Sequence, residues 1–323
     1  MHYPQIFIGQ IPQTSAQRRT LRALALDLRV RLRPPRDPLS TLVLLNFAVE
    51  GVDLIDLLIV RPSILIVGAL RSFDGPITAE LGSRWIDATG RSLQQDGQSP
   101  LAAVGNQRDT LRARLAESLP ADLPITQLVG RMIAVLICVP TLHPESGIAL
   151  DVDDHRAQRK ILGLDELAGL TAMTSIVSRI SEQALHSLVA EYLDGQLWHD
   201  GTRLLFELAP PPYRLRLIGD EPSQRPILPL IEGENVIGRR RTARPHEHRL
   251  TIAGDDRISS DHAEIICMDD RIILRDTSKN GTWFTLPNSP EAFLGNAERQ
   301  IIPGTIIRMG ETRMQLEAAE IPV

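Results

Sequence analysis

The sequence predicts two domains of different class, an α/β domain followed by an all-β sandwich, and three observations carry that prediction. Residues before about Pro210 mix helical spacing with short apolar runs, whereas residues after it hold short apolar runs alone, punctuated by turn residues. Between them Ala209-Pro210-Pro211-Pro212 favours an extended polyproline conformation and reads as a stiff linker. A length of 323 residues, 43% hydrophobic and 23% charged, suffices for two cores.

In the first segment Ser15 to Arg31 reads as an amphipathic helix, with Leu21, Leu24, Ala25 and Leu28 on one face and Ser15 as its cap. Pro34-Pro35 ends it. Arg18, Arg19, Arg22, Arg29, Arg31, Arg33 and Arg36 make this stretch basic, with Asp27 the one acid among them; a solvated face is preferred over a nucleic-acid contact. Leu42 to Phe47, Leu54 to Val60 and Ile64 to Val67 are short apolar runs, hence buried strands. Gly90 to Pro100 is a polar loop. Leu101 to Leu119 has helical spacing at Leu101, Val104, Leu111 and Leu115 and stops at Pro120; Met132 to Val139 is a further buried strand. Leu164 to Leu193 supplies two helical pieces, the second apolar at Ile176, Ile180, Leu185, Leu188 and Val189. Helix, three strands, helix, strand, helix is an α/β order.

After the prolines, eight short strands are expected: Tyr213 to Ile218, Ile227 to Ile231, Asn235 to Gly238, Arg249 to Ile252, Ala263 to Met268, Ile272 to Asp276, Thr282 to Leu286 and Ile306 to Met309. Their regular punctuation reads as a β-sandwich.

Composition narrows the function. A net charge of −5 argues against a general nucleic-acid binder. The cysteines, Cys138 and Cys267, fall in different inferred domains, so a disulfide framework is excluded and a reducing cytoplasm is expected. No basic-then-apolar leader opens the chain, and no apolar run approaches the roughly 18–20 residues of a membrane helix. His246 and His248 lack further ligands around them and read as surface residues, so no metal is expected.

From Ser15 to Leu193 the pattern resembles the nuclease-related domain (NERD), a relative of restriction-endonuclease-like folds. Gly51-Val52-Asp53-Leu54-Ile55-Asp56-Leu57-Leu58-Ile59-Val60 is similar to the strand presenting the metal-binding Asp. Ile64-Leu65-Ile66-Val67-Gly68-Ala69-Leu70 resembles the strand that normally reads Glu-x-Lys, and Ser99-Pro100 followed by Gln107 resembles the helix carrying the family's glutamine. Gly75-Pro76 matches a family turn. The chemistry needs two carboxylates on Mg²⁺ and a lysine for the attacking water. Asp56 matches the first; Gly68 and Leu70 replace the second carboxylate and the lysine, and Gln17 stands where an early acid is expected. Glu50, Asp53 and Asp74 are out of register. The resemblance therefore implies a degenerate nuclease site. Asp56 is read as capping a turn or pairing with an arginine such as Arg71, and Gln107 as a hydrogen bonder on or between elements.

From Tyr213 to Ala319 three ordered clusters, Gly238-Arg239, Ser259-Ser260-Asp261-His262 and Ser278-Lys279-Asn280-Gly281-Thr282, resemble the forkhead-associated (FHA) domain, whose members read phosphothreonine. Such a dianion wants an arginine and neutral donors. The resemblance implies that Arg239 and Ser259 contact phosphate, Asn280 holds the peptide backbone, and His262 braces the loops. Gly238 lets the chain turn, Gly281 permits the turn before Thr282, and Arg257 selects downstream peptide positions. Ser260 stands where the family often has arginine; Lys279 and the run Arg239-Arg240-Arg241 with Arg244 are candidates to compensate, or else form a solvated loop.

The expectation is thus an adaptor and not an enzyme: residues 1–208 a NERD-like, catalytically inactive α/β domain, 209–212 a linker, and 213–323 an FHA sandwich. Its partner would be a phosphothreonine-containing protein, implying a Ser/Thr kinase, with no cofactor and no membrane. A nucleic-acid binder, or a residual metal-dependent nuclease recruited through the FHA domain, is the alternative, and a structural module with an empty pocket a third.

Overall fold

The computed structural model describes residues 3–32, 41–51, 54–79, 84–94, 97–149, 158–172, 180–219, 227–240, 248–268 and 271–319. Arg33, Pro34, Pro35, Arg36, Asp53, Ile176, Arg241, Arg244 and His246 lie outside them. Two compact units make up the chain: Met1–Ile11 with Ala23–Phe206, and Pro12–Arg22 with Glu207–Val323. The division at Phe206 falls just ahead of the expected proline linker.

The first unit is built on a seven-stranded mixed sheet. Its strands are β1 (Gln5–Ile8), β2 (Leu42–Phe47), β3 (Ile55–Arg61), β4 (Ile64–Arg71), and, after the short pair β5 (Thr78–Ala79) and β6 (Trp85–Ile86), β7 (Ile133–Cys138). β8 (Gly147–Ile148) joins β5 and β6 in a small sheet; β9 (Arg159–Gly163) and β10 (Gln196–His199) complete the large one, in the order β10-β1-β2-β3-β4-β7-β9. β2, β3 and β4 form an antiparallel meander, whereas β4, β7 and β9 run parallel. Of these, β4 and β7 read as nearly continuous apolar runs because they are buried, whereas β9 begins with Arg159 and Lys160.

Helix α1 (Ser15–Arg31) exists as expected, but its cap differs. Thr14 Oγ1 accepts the Gln17 amide at 3.3 Å and donates to Gln17 Oε1 at 3.0 Å, a side-chain cap one residue earlier than the expected Ser15. Gln17 thus has a local structural use. Arg29 donates to the Gly201 carbonyl and lies over the Tyr3 ring, and Arg31 pairs with Asp27, so these two arginines serve the unit's own surface. Helix α2 (Pro100–Ser118) starts with Ser99 Oγ accepting from Ala102 N and Pro100 in its first turn. Its Leu101, Val104, Leu111 and Leu115 pack into one core with Leu58, Val67 and Leu136. α3 (Pro124–Gly130) follows; α4 (Leu167–Thr171) and α5 (Glu182–Ser187, continued by a wider turn to Tyr192) stand where the two helical pieces are expected. Cys138 is buried and free, its thiol pushed up to about 11 by burial first and by Glu166 second.

The second unit is a sandwich of a six-stranded and a five-stranded sheet. One is β12-β11-β21-β20-β17-β18, the other β14-β13-β15-β16-β19. In chain order these are β11 (Tyr213–Ile218), β12 (Ile227–Leu230), β13 (Gly233–Gly238), β14 (His248–Thr251), β15 (Ala263–Cys267), β16 (Ile272–Asp276), β17 (Thr282–Thr285), β18 (Ala292–Phe293), β19 (Glu298–Ile301), β20 (Ile306–Met309) and β21 (Thr312–Ala318). Inward residues alternate along the central strands, so Leu215, Ile237, Ile265, Leu274, Phe284, Ile307, Met314 and Leu316 form the core. Cys267 is in that core, as expected, with its thiol pushed up to about 12 chiefly by burial. β13 pairs parallel with β14 and antiparallel with β15, which brings the ends of three strands and their loops together. Among the described residues no helix is long and apolar enough to cross a membrane.

Candidate functional site

The three polar clusters meet at one end of the sandwich. Gly238 ends β13 and Arg239 leaves it, its amide donating to the Ser259 carbonyl at 3.1 Å. A Cβ on Gly238 would lie 2.2 Å from the Ser260 carbonyl oxygen, and its φ is not positive. The glycine serves close approach of the neighbouring loop, not the turn expected of it.

His262 is fully buried and joins two loops. Its Nδ1 accepts the Ser259 amide at 3.0 Å, and its Nε2–H donates to the Gly281 carbonyl at 3.2 Å. Ser259 Oγ in turn accepts the Lys279 amide at 3.3 Å, which leaves its own hydrogen for an outside acceptor. Asn280 Nδ2 donates to the Arg257 carbonyl at 2.7 Å; its Oδ1 and second N–H make no hydrogen bond among the described residues. Gly281 has φ +80, a conformation that side chains disfavour, and its amide donates to Ser278 Oγ at 2.7 Å.

The charged groups are placed unequally. The Arg239 side chain is 52% exposed and its Nη1 stands 3.7 Å from the fully exposed Asp256 carboxylate. Arg240, expected to supplement it, is held by Asp261, which also takes Arg249. Arg257 pairs with Glu311 at 3.0 Å, both largely exposed. Lys279 makes no ion pair among the described residues. Ser260 contributes its carbonyl, which accepts from Arg240 N and Arg249 Nη1. His248 opens β14, with Nε2 3.2 Å from the Pro229 carbonyl.

Three anchors went unread in the sequence. Asp276 is 4% exposed; Oδ1 accepts from Ser278 N and Thr282 Oγ1, and Oδ2 accepts from Asn296 N. Burial alone raises its pKa, but those hydrogen bonds outweigh burial and hold it below the ordinary value. Asp255 Oδ2 gathers Glu311 N, Thr312 N and Thr312 Oγ1, tying the Arg257 loop to the hairpin between β20 and β21. Asn235, fully buried, bonds Ile231, Gly233 and Ile265. Thr282 closes the Asp276 cluster and starts β17.

Burial lowers the His262 pKa below 6.5, only partly opposed by the Gly281 carbonyl, Asp276 and Asp255. The unfolded chain therefore takes up this proton first as pH falls. The contribution of neutral His262 is complete above pH 6.5 and is lost progressively below it, by up to about 1.4 kcal/mol per pH unit. Denaturant midpoints between pH 7.5 and pH 5.5 check this: the wild-type midpoint should fall, and His262→Asn should flatten the slope.

In the first unit, Asp56 Oδ2 accepts the Leu70 amide at 2.8 Å and pairs with Arg71 Nη1 at 2.9 Å. A Cβ at Gly68 would lie 2.8 Å from Ile137 Cδ1 and 3.1 Å from Leu57 Cδ2, the ends of two flexible side chains. Gln107 Nε2 donates to the Leu54 carbonyl at 3.3 Å, and Glu50 gives its carbonyl to Arg114. Asp74 lines an open cleft with Arg71, Asp87 and Arg91. No group of three or more His, Cys, Asp or Glu side chains among the described residues has metal-holding geometry.

Comparison with known proteins bears on the second unit. The family model of the FHA domain matches residues 235–310. Those residues are an FHA domain. Among solved structures, the FHA domain of FhaA, determined with the intracellular domain of Rv3910, is 28% identical; the match covers 32% of this chain and 99% of that one, with a TM-score of 0.25. An FHA domain studied for phosphothreonine-dependent interactions is 29% identical, over 34% and 98%, with a TM-score of 0.26. The FHA domain of human APLF, solved with an XRCC1 bisphospho peptide, is 20% identical, over 33% and 98%, with a TM-score of 0.27. No curated protein matches the chain.

Proposed function

We propose that this chain is a phosphothreonine-peptide-binding adaptor. The observation that carries the reading is the set of open donors that His262 and Asp276 hold at one end of the FHA sandwich. A phosphothreonine brings about −1.5 to −2 charges and three acceptor oxygens. Arg239 supplies the guanidinium and Ser259 the free hydroxyl hydrogen, while Asn280 has an amide N–H and a carbonyl oxygen left for the peptide backbone. Arg257, Lys279 and Ser260 border the bound peptide; Gly238, His262, Gly281 and Thr282 shape the loops. The partner is a protein phosphorylated by a Ser/Thr kinase, met in the cytoplasm. Pull-down from a lysate, with a phosphatase-treated lysate alongside, tests this: capture should vanish after dephosphorylation and in Arg239→Ala.

For the preceding domain (residues 1–208, ahead of the 209–212 linker and the 213–323 sandwich) the reading is a degenerate nuclease-related fold serving as a second interaction surface. Two facts bear on the loss of the metal site. Asp56 is engaged by Leu70 N and Arg71, and Gly68 on the neighbouring strand supplies no second carboxylate. Plasmid and single-stranded DNA with Mg²⁺ or Mn²⁺ should remain uncut; cleavage that Asp56→Ala abolishes would overturn this half of the reading.

A further inference from the structure

One aromatic ring stands beside the phosphopeptide loops and belongs to none of the three clusters. Phe293 is 54% exposed although it is a large apolar side chain in a strand. It sits on β18, the edge strand of the six-stranded sheet, opposite Trp283 of β17. Trp283 lies three residues beyond Asn280.

The ring is held where it is. A Cβ on Gly281 would lie 2.1 Å from its Cε2, and a Cβ on Gly295 would lie 2.6 Å from its Cε1. Both glycines are therefore pressed against the ring edge. The Trp283 ring packs at 4.9 Å and 54°, and Leu294 N donates to the Thr282 carbonyl at 2.8 Å to fix the strand. Arg308 covers Trp283 at 4.9 Å while bonding Glu291, so Trp283 is already partnered whereas half of Phe293 still meets solvent. An exposed, rigid aromatic loses little conformational freedom when a ligand covers it.

We propose that Phe293 is a specificity-determining residue, its exposed surface receiving a large apolar side chain that flanks the phosphothreonine of the bound peptide. This rests on the phosphothreonine reading, because the ring touches Gly281, the residue after the Asn280 expected to hold the peptide. Arg257 and Glu311 offer only charge at the neighbouring hairpin, so Phe293 supplies the apolar part of the selection.

The test uses the full chain and phosphothreonine peptides in which each flanking position is in turn alanine, leucine, phenylalanine or aspartate. At one position leucine or phenylalanine should bind wild type about fivefold or more tighter than alanine. Phe293→Ala should bring the ratio of leucine or phenylalanine to alanine binding at that position to about one, whatever its effect on the all-alanine peptide. Phe293→Lys should turn the preference at the same position toward aspartate, an effect that loosened packing would not produce. Absence of an apolar preference in wild type, or its persistence in both variants, overturns the proposal while Arg239-dependent phosphothreonine binding leaves the adaptor reading standing. No phosphothreonine binding at all overturns both.

Discussion

Replacing Arg239 with alanine is expected to weaken phosphothreonine-peptide binding at least about tenfold. A charge-assisted hydrogen bond contributes about 1.5–3 kcal/mol, and about 1.4 kcal/mol is a factor of ten. The fold should not suffer, since the guanidinium is half exposed and its nearest carboxylate, on Asp256, is 3.7 Å away and open to water. What positions Arg239 is its backbone bond to Ser259, which survives the change. Arg239→Lys should recover part of the loss, because lysine restores charge without the planar fork. Titration of a labelled phosphothreonine peptide, with thermal unfolding of the same samples, checks both halves.

Replacing Asp276 with alanine is expected to have the largest effect on stability. The change strips the acceptor from two backbone amides and one hydroxyl in a buried cluster. Each buried polar group left unpaired costs about 1–3 kcal/mol, so a loss of about 3 kcal/mol or more follows. Asp276→Asn should lose less, because its carbonyl oxygen can keep some of these bonds. Both should weaken peptide binding as well, because the cluster sets the Asn280 loop. Denaturant unfolding followed by hydrogen exchange of the sandwich strands reads the first effect, and the peptide titration reads the second.

Much of this site was legible in one dimension, and the reason is local. Arg239, Ser259 and Asn280 each sit in a short polar cluster between alternating strands, and turn residues announce such loops. The anchors were not legible because their partners are backbone groups far along the chain. Nothing around Asp276 signals that the Asn296 amide will come to it, and nothing around Asp255 signals the Thr312 hairpin. Gly238 shows a subtler gap: a glycine at a strand end suggests a turn, whereas its use here is the approach of the Ser260 carbonyl. Among the strands, β21 was open to reading, since Met314 and Leu316 alternate with Arg313, Gln315 and Glu317. β19 was not, because three exposed polar residues precede its buried Ile301. In the first unit the core strands declared themselves by apolar runs. The four-residue β1 and β10 did not, being too short to show a period. The state of position 68 emerges only from the side chains of Ile137 and Leu57 around it.

The central claim is that the FHA loop end reads phosphothreonine, and competition among three forms of one peptide pool tests it most directly. The full chain is titrated with pools centred on phosphothreonine, phosphoserine and threonine, identical otherwise. The structure predicts saturable binding of the phosphothreonine pool, much weaker binding of unmodified threonine, and loss of the difference in Arg239→Ala. Equal binding of phosphorylated and unmodified pools by the wild-type chain would contradict it.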